Sequence, residues 1–310
     1  MSRLVTAVIP AFNPHPGHLR VAVDSALAQT HQPVQVIVID DGSKEPLDWL
    51  AREYGDRITL IRKENGGPAS ARNAGIRAAQ GTHIAFLDAD DGWEPGKLGA
   101  QLAALAANPG AGLCYTRLQL IDVDGNVTGE SPVRGRLSGQ VFPQLFQHNF
   151  VSNSSTMVTR QAIDAVGLFH EGREVFAVED YDLWLRISER FELVFLPEVL
   201  TRYRLSPTGI SKDIARSYNN EHHVVDRAVE RNRAAHPFVV KSYRRRVAQI
   251  DRECADEYMM NDRFSEARAR YWASLRSWPG SRGAWVSLGL SLLGPTAVRG
   301  LRGLRQKLRR

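Results

Sequence analysis

Three aspartates follow directly on an apolar segment. Residues 82–87 have the composition of a buried strand, and Asp88, Asp90 and Asp91 occupy three of the next four positions. In open α/β sheets, ligands bind at the carboxyl ends of the strands. Carboxylates this close repel one another, and a hard cation such as Mg²⁺ or Mn²⁺, which also holds substrate phosphates, would relieve that repulsion. An isolated Asp-x-Asp is more often a solvated acidic turn, so the neighbouring motifs decide between the two interpretations.

A further carboxylate lies on a segment with helical periodicity. Residues 178–189 predict a helix, and one face of it carries Asp180 together with apolar side chains, namely Trp184, Ile187 and Phe191. A carboxylate on an apolar face is partly desolvated, which raises its pKa toward the range of a general base. A hydrogen-bonded structural aspartate is the more common case and stays open as the alternative.

Strands and helices alternate through the first 122 residues. Apolar runs predict strands at 4–9, 34–39, 58–61, 82–87 and 113–121, and helical spacing predicts helices at 19–27, 69–80 and 97–107. This alternation is typical of an α/β fold with a Rossmann-like, mostly parallel sheet and helices on both faces. The chain at 122–126 predicts a hairpin turn, and from about residue 215 helix formers dominate. Within that part, residues 251–277 resemble one tetratricopeptide-like helix pair.

The composition is that of a folded chain. The 310 residues are 43% hydrophobic and 24% charged, which indicates one large domain, or one domain with an appendage, rather than a disordered or fibrous class. The two cysteines, Cys114 and Cys254, have no Cys or His partner at metal-binding spacing, so we expect no zinc site and a reducing compartment. The N-terminal segment lacks the apolar stretch of a signal peptide, which favours a cytoplasmic protein.

The excess of positive charge, +6, lies in the last 16 residues of the chain. Six of the 40 basic residues lie in 295–310, which contains no acid, so the other 34 balance the 34 acidic residues. We therefore expect no nucleic-acid-binding surface. Residues 284–293 are apolar but only about half as long as a bilayer span, and with the basic tail they favour an interfacial helix at an anionic membrane surface. A plain docking helix with a frayed tail is the alternative.

Polar motifs follow the successive strands in a recognisable order. They are Pro10-Ala11-Phe12-Asn13, then Asp40-Asp41-Gly42-Ser43, then Asn65-Gly66-Gly67 with Arg72-Asn73, the aspartate cluster at 88–91, Glu179-Asp180 and finally Tyr203-Arg204. Each motif alone is weak, but their order and spacing closely resemble the family 2 glycosyltransferases of the GT-A fold, of the non-processive bacterial type. The resemblance covers roughly residues 3–210.

The resemblance implies a role for each motif. The nucleotide-sugar would be bound by Pro10, Ala11, Asn13, Asp40, Asp41, Gly66, Arg72, Asp88 and Ala89. A Mn²⁺ or Mg²⁺ ion would be held by Asp90, with Asp88 as the second metal-site carboxylate, and Asp180 would be the catalytic base. The acceptor side would include Trp93, Asn153, Ser154 and Glu179.

The resemblance also implies the reaction and the domain organisation. We expect an inverting, metal-dependent transfer of one sugar from a nucleoside-diphosphate sugar, with UDP favoured over GDP or dTDP, to a hydroxyl of a glycan or lipid-linked acceptor. Cell-envelope or extracellular glycan synthesis would be its setting, at the inner face of the plasma membrane. The chain lacks the Gln-x-x-Arg-Trp motif and membrane spans of processive members. The expected parts are a GT-A catalytic domain at 1–212 with nucleotide-binding and acceptor-side halves at 1–122 and 123–212, a helical extension at 213–294 and a basic tail at 295–310.

Two other functions stay open on the sequence. A sugar-nucleotide nucleotidyltransferase shares the sheet and the metal-bound diphosphate, although its basic Gly-rich loop after the first strand is absent here. A catalytically inactive sugar-binding or scaffold protein is the non-enzyme alternative. A P-loop NTPase and a Rossmann dehydrogenase are disfavoured, because neither Gly-Lys-Ser/Thr nor Gly-x-Gly-x-x-Gly stands where those folds need it.

Overall fold

The chain folds as two units, one built around a sheet and one of helices. The computed structural model describes residues 3–131, 137–206 and 213–293. Contacts divide the chain into Met1–Gly209 and Ile210–Arg310. The basic tail predicted at 295–310 lies outside the described residues.

The strands of the first unit form one sheet. In chain order they are β1 (Val5–Ala11), β2 (Val34–Asp40), β3 (Thr59–Arg62), β4 (His83–Phe86), β5 (Gly92–Trp93), β6 (Ala111–Ile121), β7 (Val127–Glu130), β8 (Thr156–Thr159) and β9 (Glu192–Arg204). Their spatial order is β3-β2-β1-β4-β8-β6-β9-β5, with β7 paired to the outer part of β6 as a hairpin.

The sheet is parallel in its first half and mixed in its second. Strands β3, β2, β1 and β4 pair in parallel, as the sequence predicts. Strand β8 enters between β4 and β6 and is antiparallel to both, whereas β6 and β9 are parallel. The predicted α/β class is confirmed, and the sheet as a whole is mixed because β8 arrives from a segment that follows a hairpin rather than a crossover helix.

Helices cover the sheet of the first unit. They are α1 (Pro16–Leu27), α2 (Asp48–Tyr54), α3 (Gly67–Ala78), α4 (Lys97–Ala107), α5 (Phe142–Gln147), α6 (Arg160–Val166) and α7 (Glu179–Ser188). The apolar side chains of β1 and α1 enter one core, which includes Ile9, Leu19 and Val23. Helix α3 approaches β1 so closely that a Cβ on Gly75 would lie 2.3 Å from Val8 Cγ1. This contact sets the position of α3, whose first two turns carry site residues.

The predicted bounds of one helix need correction, and two elements were not predicted. Helix α3 runs from Gly67 to Ala78 rather than 69–80, because Pro68 starts it in the first turn and Ala79 is already extended. Gly81 lies beyond the helix end, and a Cβ there would lie 2.8 Å from the backbone of β1, so glycine permits this close approach. Helix α2 and the long strand β9 had no counterpart among the sequence predictions.

The second unit contains four helices within its described residues. They are α8 (Ile214–Asn232), α9 (Phe238–Met260), α10 (Phe264–Ser277) and α11 (Arg282–Leu292). The helical character predicted for this part is confirmed, and the expected pair at 251–277 corresponds to the end of α9 and the whole of α10. Buried side chains of α9, α10 and α11 share one core, including Tyr258, Tyr271 and Leu288. None of the helices in the described ranges is long and apolar enough to cross a bilayer.

Candidate active site

The carboxyl ends of the central strands bring three loops together. In the parallel register Ala11 lies beside Asp40 and Val8 beside Phe86. The backbone continues this pairing past the strand ends, because Asp41 N donates to Ala11 O at 2.9 Å. The motifs that follow β1, β2 and β4 therefore share one edge of the sheet, as open α/β sheets require of their ligand sites.

The loops after β1 and β2 are tied to each other through Asn13. Ser43 Oγ accepts a hydrogen bond from Asn13 N at 2.9 Å, and Asn13 Oδ1 accepts one from Lys44 N at 2.8 Å. Asn13 has a φ of 45°, a left-handed conformation that asparagine tolerates better than most residues. Pro10 is half-buried and Ala11 is buried, so of the predicted nucleotide contacts in this loop Asn13 is the exposed one.

The aspartates after β2 are buried and engaged by protein groups. Asp40 accepts hydrogen bonds from Arg62 Nη1 at 2.5 Å and Ser43 N at 2.8 Å. Asp41 accepts one from Lys63 Nζ at 2.7 Å, and the amides of Gly66 and Gly67 donate to it at 3.1 and 2.8 Å. The Asp41 carboxylate thus lies at the N-terminus of α3, where the helix dipole favours a negative charge. The pair shapes the loop, and a direct nucleotide contact by either residue remains a prediction.

Arg72, in the second turn of α3, joins two carboxylates from distant parts of the chain. Its Nη2 donates to Asp88 Oδ1 at 2.8 Å, and its Nη1 donates to Glu179 Oε1 at 2.5 Å. Asn153 Nδ2 donates to the same oxygen of Asp88 at 2.9 Å. Although burial opposes it, the charges of Asp88 and Glu179 raise the pKa of Arg72, so the guanidinium is permanently charged. The loop after β4 is thereby connected to the start of α7.

This network has unused hydrogen-bonding capacity. Arg72 Nε, Asn153 Oδ1 and Glu179 Oε2 are buried and have no hydrogen-bond partner among the described residues. Buried polar atoms are normally paired with protein or with ordered water. A polar ligand or an ordered water bound at this cluster would supply the hydrogen bonds that these three atoms lack.

The aspartates after β4 differ in their surroundings. Asp91 is buried, accepts a hydrogen bond from Arg204 N at 2.8 Å, and has its pKa raised by burial and by the charge of Asp88. Asp90 is partly exposed, and burial together with the Asp88 charge raises its pKa to about 6. No side chain in the described ranges donates a hydrogen bond to the Asp90 carboxylate. Asp91 is therefore a structural residue of the loop, whereas the Asp90 carboxylate is available to bind a ligand or a cation.

Asp180 occupies the first turn of α7, next to the Arg72 network. Burial and then the Glu179 charge raise the pKa of Asp180 to about 7, although the charge of Arg72 opposes the shift. Its Oδ1 accepts a hydrogen bond from Tyr181 N at 2.7 Å. A carboxylate with a pKa near neutrality is suited to general-base catalysis. Asp182 instead pairs with Arg186 at 2.8 Å, as its i, i+4 spacing predicts.

The residues predicted on the acceptor side lie deeper than expected. Trp93 is buried and donates through Nε1 to Ser154 O at 2.8 Å, so it supports the loops from below and presents no surface to a ligand. Ser154 Oγ accepts a hydrogen bond from Asp88 N at 3.0 Å. Glu179 is buried against Arg72, and Asn153 contacts Asp88. The prediction that Trp93 lines the acceptor side is therefore wrong. Strand β5, which carries Trp93, pairs with β9 and turns the indole into the core.

Two neighbouring residues of β9 received no role from the sequence. The half-buried Tyr203 has its pKa raised by burial and by the charges of the aspartates at 88–91 and 180, which places its hydroxyl in their field. Arg204 Nε donates to Asp90 O at 2.8 Å, and its Nη1 donates to Asp122 O at 2.9 Å. The pair Tyr203-Arg204 was visible in the order of motifs, but its pairing across the sheet was not.

The carboxylates after β4 are the candidate ligands for a divalent cation. Within the described residues, no group of three or more His, Cys, Asp and Glu side chains is placed to hold a metal ion. The chemistry of Asp88 and Asp90 nevertheless fits Mg²⁺ or Mn²⁺, which bind through one or two carboxylates when substrate phosphates complete the shell. Burial and then the charge of Asp88 raise the pKa of Asp90, and a bound cation would oppose both effects.

Sequence comparison assigns the chain to a family. The profile described as "Glycosyl transferase family 2" matches residues 6–167, just over half of the chain. The chain belongs to glycosyltransferase family 2. The matched region contains the loops after β1, β2 and β4 and the residues Asn153 and Ser154, so the family assignment includes most of the site. The predicted family is confirmed.

Relatives named as glycosyltransferases align with about two thirds of the chain. An uncharacterized glycosyltransferase of Rickettsia prowazekii (strain Madrid E) is 32% identical over 210 residues, which cover 66% of this chain and 64% of the relative. The alignment to one from Rickettsia typhi covers the same shares. Both alignments therefore span less than two thirds of the relatives' own length. The succinoglycan biosynthesis protein ExoW of Rhizobium meliloti is 47% identical over 100 residues, 30% of this chain and 31% of that protein.

Solved structures with the same fold include two glycosyltransferases. S. aureus TarS in complex with UDP-GlcNAc superposes with a TM-score of 0.63 at 12% identity, over 87% of this chain and 81% of that chain. The mannosyltransferase PcManGT from Pyrobaculum calidifontis, in complex with GDP-Man and Mn²⁺, gives a TM-score of 0.64 at 17% identity, over 94% of this chain and 80% of that chain. These likenesses show the GT-A fold.

Proposed function

We propose that this family 2 enzyme is an inverting, metal-dependent glycosyltransferase that moves one sugar from a nucleoside-diphosphate sugar to a hydroxyl acceptor. The observation that carries the proposal is the connection of Asp180 to Asp88 through Glu179 and Arg72. It joins a carboxylate with a pKa of about 7 to the acidic loop after β4. A base and a diphosphate-binding loop within one site are what a single displacement at an anomeric carbon needs.

Each residue has a defined part in the reaction. Asp180 takes the proton of the acceptor hydroxyl while that oxygen attacks the anomeric carbon, and the bond from that carbon to the diphosphate oxygen breaks in line. The electron pair of the broken bond leaves with the nucleoside diphosphate, and the anomeric configuration inverts. Mg²⁺ or Mn²⁺, held by Asp90 with Asp88, would neutralise charge on the departing diphosphate. Arg72 and Asn153 hold the Asp88 carboxylate in place.

The donor is proposed from the chemistry of solved relatives. TarS was solved with UDP-GlcNAc and PcManGT with GDP-Man and Mn²⁺, and both share the GT-A fold with this chain. We favour UDP over GDP or dTDP as the nucleotide. Pro10 and Ala11 end strand β1, and Asn13, Gly66 and Ala89 lie in loops at the same sheet edge. We propose that these five residues contact the nucleotide-sugar.

The biological setting is proposed from ExoW, a succinoglycan biosynthesis protein. It supports a glycan or lipid-linked acceptor in extracellular or cell-envelope glycan synthesis. We assign catalysis to residues 1–212, and we propose that the helices at 213–294 and the basic tail at 295–310 hold the enzyme at the cytoplasmic face of the membrane, where such acceptors collect. The family assignment favours this function over a nucleotidyltransferase.

Calorimetric titration tests the proposal. UDP, GDP and dTDP are each titrated into the full chain with Mn²⁺ and with a chelator. Binding of one nucleotide that requires Mn²⁺ is the expected result. Absence of binding by every nucleotide, with the protein folded by circular dichroism, would favour an inactive sugar-binding or scaffold role instead.

A further inference from the structure

Helix α11 exposes an apolar face. Its buried positions include Ala284 and Leu288, which pack into the core of the second unit. The other side of the helix and the residue after it carry large apolar side chains that are 36% to 69% exposed, namely Trp285, Val286, Leu290, Leu292 and Leu293. A surface helix of a folded protein is normally polar on its outer side. A contiguous exposed apolar patch marks an interaction site.

Tryptophans extend this face onto α10 and the turn that follows it. The Trp272 and Trp285 rings meet edge to face, with centroids 5.9 Å apart, and both are about half exposed. Trp285 Nε1 donates to Pro279 O at 2.9 Å, which fixes the indole in place. Trp278, between the two helices, is also exposed. Tryptophan and leucine together are typical of helices that lie in a lipid headgroup region. We call this surface, from Trp272 to Leu293, the tryptophan face.

The charge of this part of the chain is one-sided. Between Ala267 and Arg310 the sequence contains ten Arg and Lys residues and no Asp or Glu. Four of them lie on the helices that form the tryptophan face, and six follow it in the sequence. Of the four, Arg270 is paired with Asp251 at 2.9 Å, which leaves Arg268, Arg276 and Arg282. An apolar face on basic helices, followed in the sequence by further basic residues, complements a surface of acidic headgroups over acyl chains.

We propose that the tryptophan face docks on an anionic lipid surface. The apolar side chains enter the boundary between headgroups and acyl chains, and Arg268, Arg276 and Arg282 pair with the headgroups. In this proposal the helices that form the tryptophan face lie along the membrane surface; none of the described helices could span a bilayer. The proposal deepens the membrane setting given under the proposed function. Vesicle binding needs no nucleotide, so each of the two proposals can fail without the other.

The test uses the full chain and phospholipid vesicles. Sedimentation with vesicles of phosphatidylglycerol and phosphatidylcholine is compared with sedimentation with phosphatidylcholine alone. The double variant Val286→Gln/Leu292→Gln should bind the anionic vesicles roughly tenfold more weakly than the wild type. The matched control is Val240→Gln/Met260→Gln. Its side chains, exposed to 49% and 67%, resemble those of Val286 and Leu292 at 63% and 69% but lie outside the tryptophan face. The control should bind like the wild type.

A second readout locates the contact. Lipids with brominated acyl chains quench tryptophans that enter the bilayer, and replacing Trp285 by Phe should remove a large part of the quenching while keeping binding. Equal binding by the two double variants, or quenching unchanged in Trp285→Phe, would overturn the proposal. So would a wild-type dimer in sedimentation velocity that Val286→Gln/Leu292→Gln dissociates, because the face would then be an interface between two copies of the chain.

Discussion

The Arg72 guanidinium and the Glu179 carboxylate form a buried ion pair, with Nη1 and Oε1 2.5 Å apart, although 107 positions separate the two residues. The same guanidinium holds Asp88. Arg72 is therefore occupied by protein carboxylates on two sides, and its first role is to position the acidic loop against the helix that carries Asp180. The resemblance to family 2 enzymes assigned Arg72 to the nucleotide; its Nε is the atom left for such a contact.

The first prediction concerns the pH dependence of Glu179→Gln. Transfer needs deprotonated Asp180, so activity should rise with pH through the Asp180 pKa of about 7. The Glu179 charge contributes to raising that pKa, and its removal should shift the acidic limb of the pH–rate profile to lower pH. The measurement is release of UDP from a UDP-sugar across a pH series, with water in place of the acceptor. Glu53→Gln, in an exposed pair with Arg20, should leave the limb unchanged. A limb that stays in place or moves upward in Glu179→Gln would contradict the prediction.

The second prediction concerns stability. Replacing Arg72 by Met leaves Asp88 and Glu179 without their shared cation, and breaking a buried pair typically costs about 3–5 kcal/mol. Urea denaturation should show a loss of this order in the free energy of unfolding. The comparison is Arg20→Met, whose exposed pair with Glu53 should contribute about 0–1 kcal/mol. Similar losses in the two variants would show that Arg72 is not a structural centre of the site.

The third prediction concerns Asp90, the proposed metal ligand. In the metal-free chain its pKa of about 6 lies above the ordinary value of 3.8, so the ionised form is disfavoured in the folded state. At pH 7 Asp90→Asn should therefore stabilise the metal-free protein by roughly 1–2 kcal/mol, and the gain should shrink as pH falls through 6 toward 4. The same variant should lose Mn²⁺-dependent nucleotide binding. A destabilised variant, or one that keeps Mn²⁺-dependent binding, would remove Asp90 from the metal site.

Local periodicity predicted the elements that depend on local sequence alone. Helix α4 begins and ends where the sequence placed it, at residues 97–107, because apolar spacing and flanking turn residues mark it. Strand β9 was missed, since Pro197 and polar residues interrupt its pattern and its stability comes from pairing with β6. The same distinction between local sequence signals and long-range contacts applies to the candidate site. The aspartates at strand ends were visible in sequence, whereas the Arg72–Glu179 pair and the burial of Trp93 depend on contacts between distant segments.

The measurement that tests the central claim most directly is a comparison of wild type with Asp180→Asn. Release of UDP from UDP-sugars and Mn²⁺-dependent UDP binding are measured on both proteins, with Asp164→Asn on the exposed side of α6 as the control. If Asp180 is the base, turnover should fall by about 10²–10⁴ while UDP binding and the control stay unchanged. Turnover that persists in Asp180→Asn, or equal loss of turnover and binding, would contradict the account.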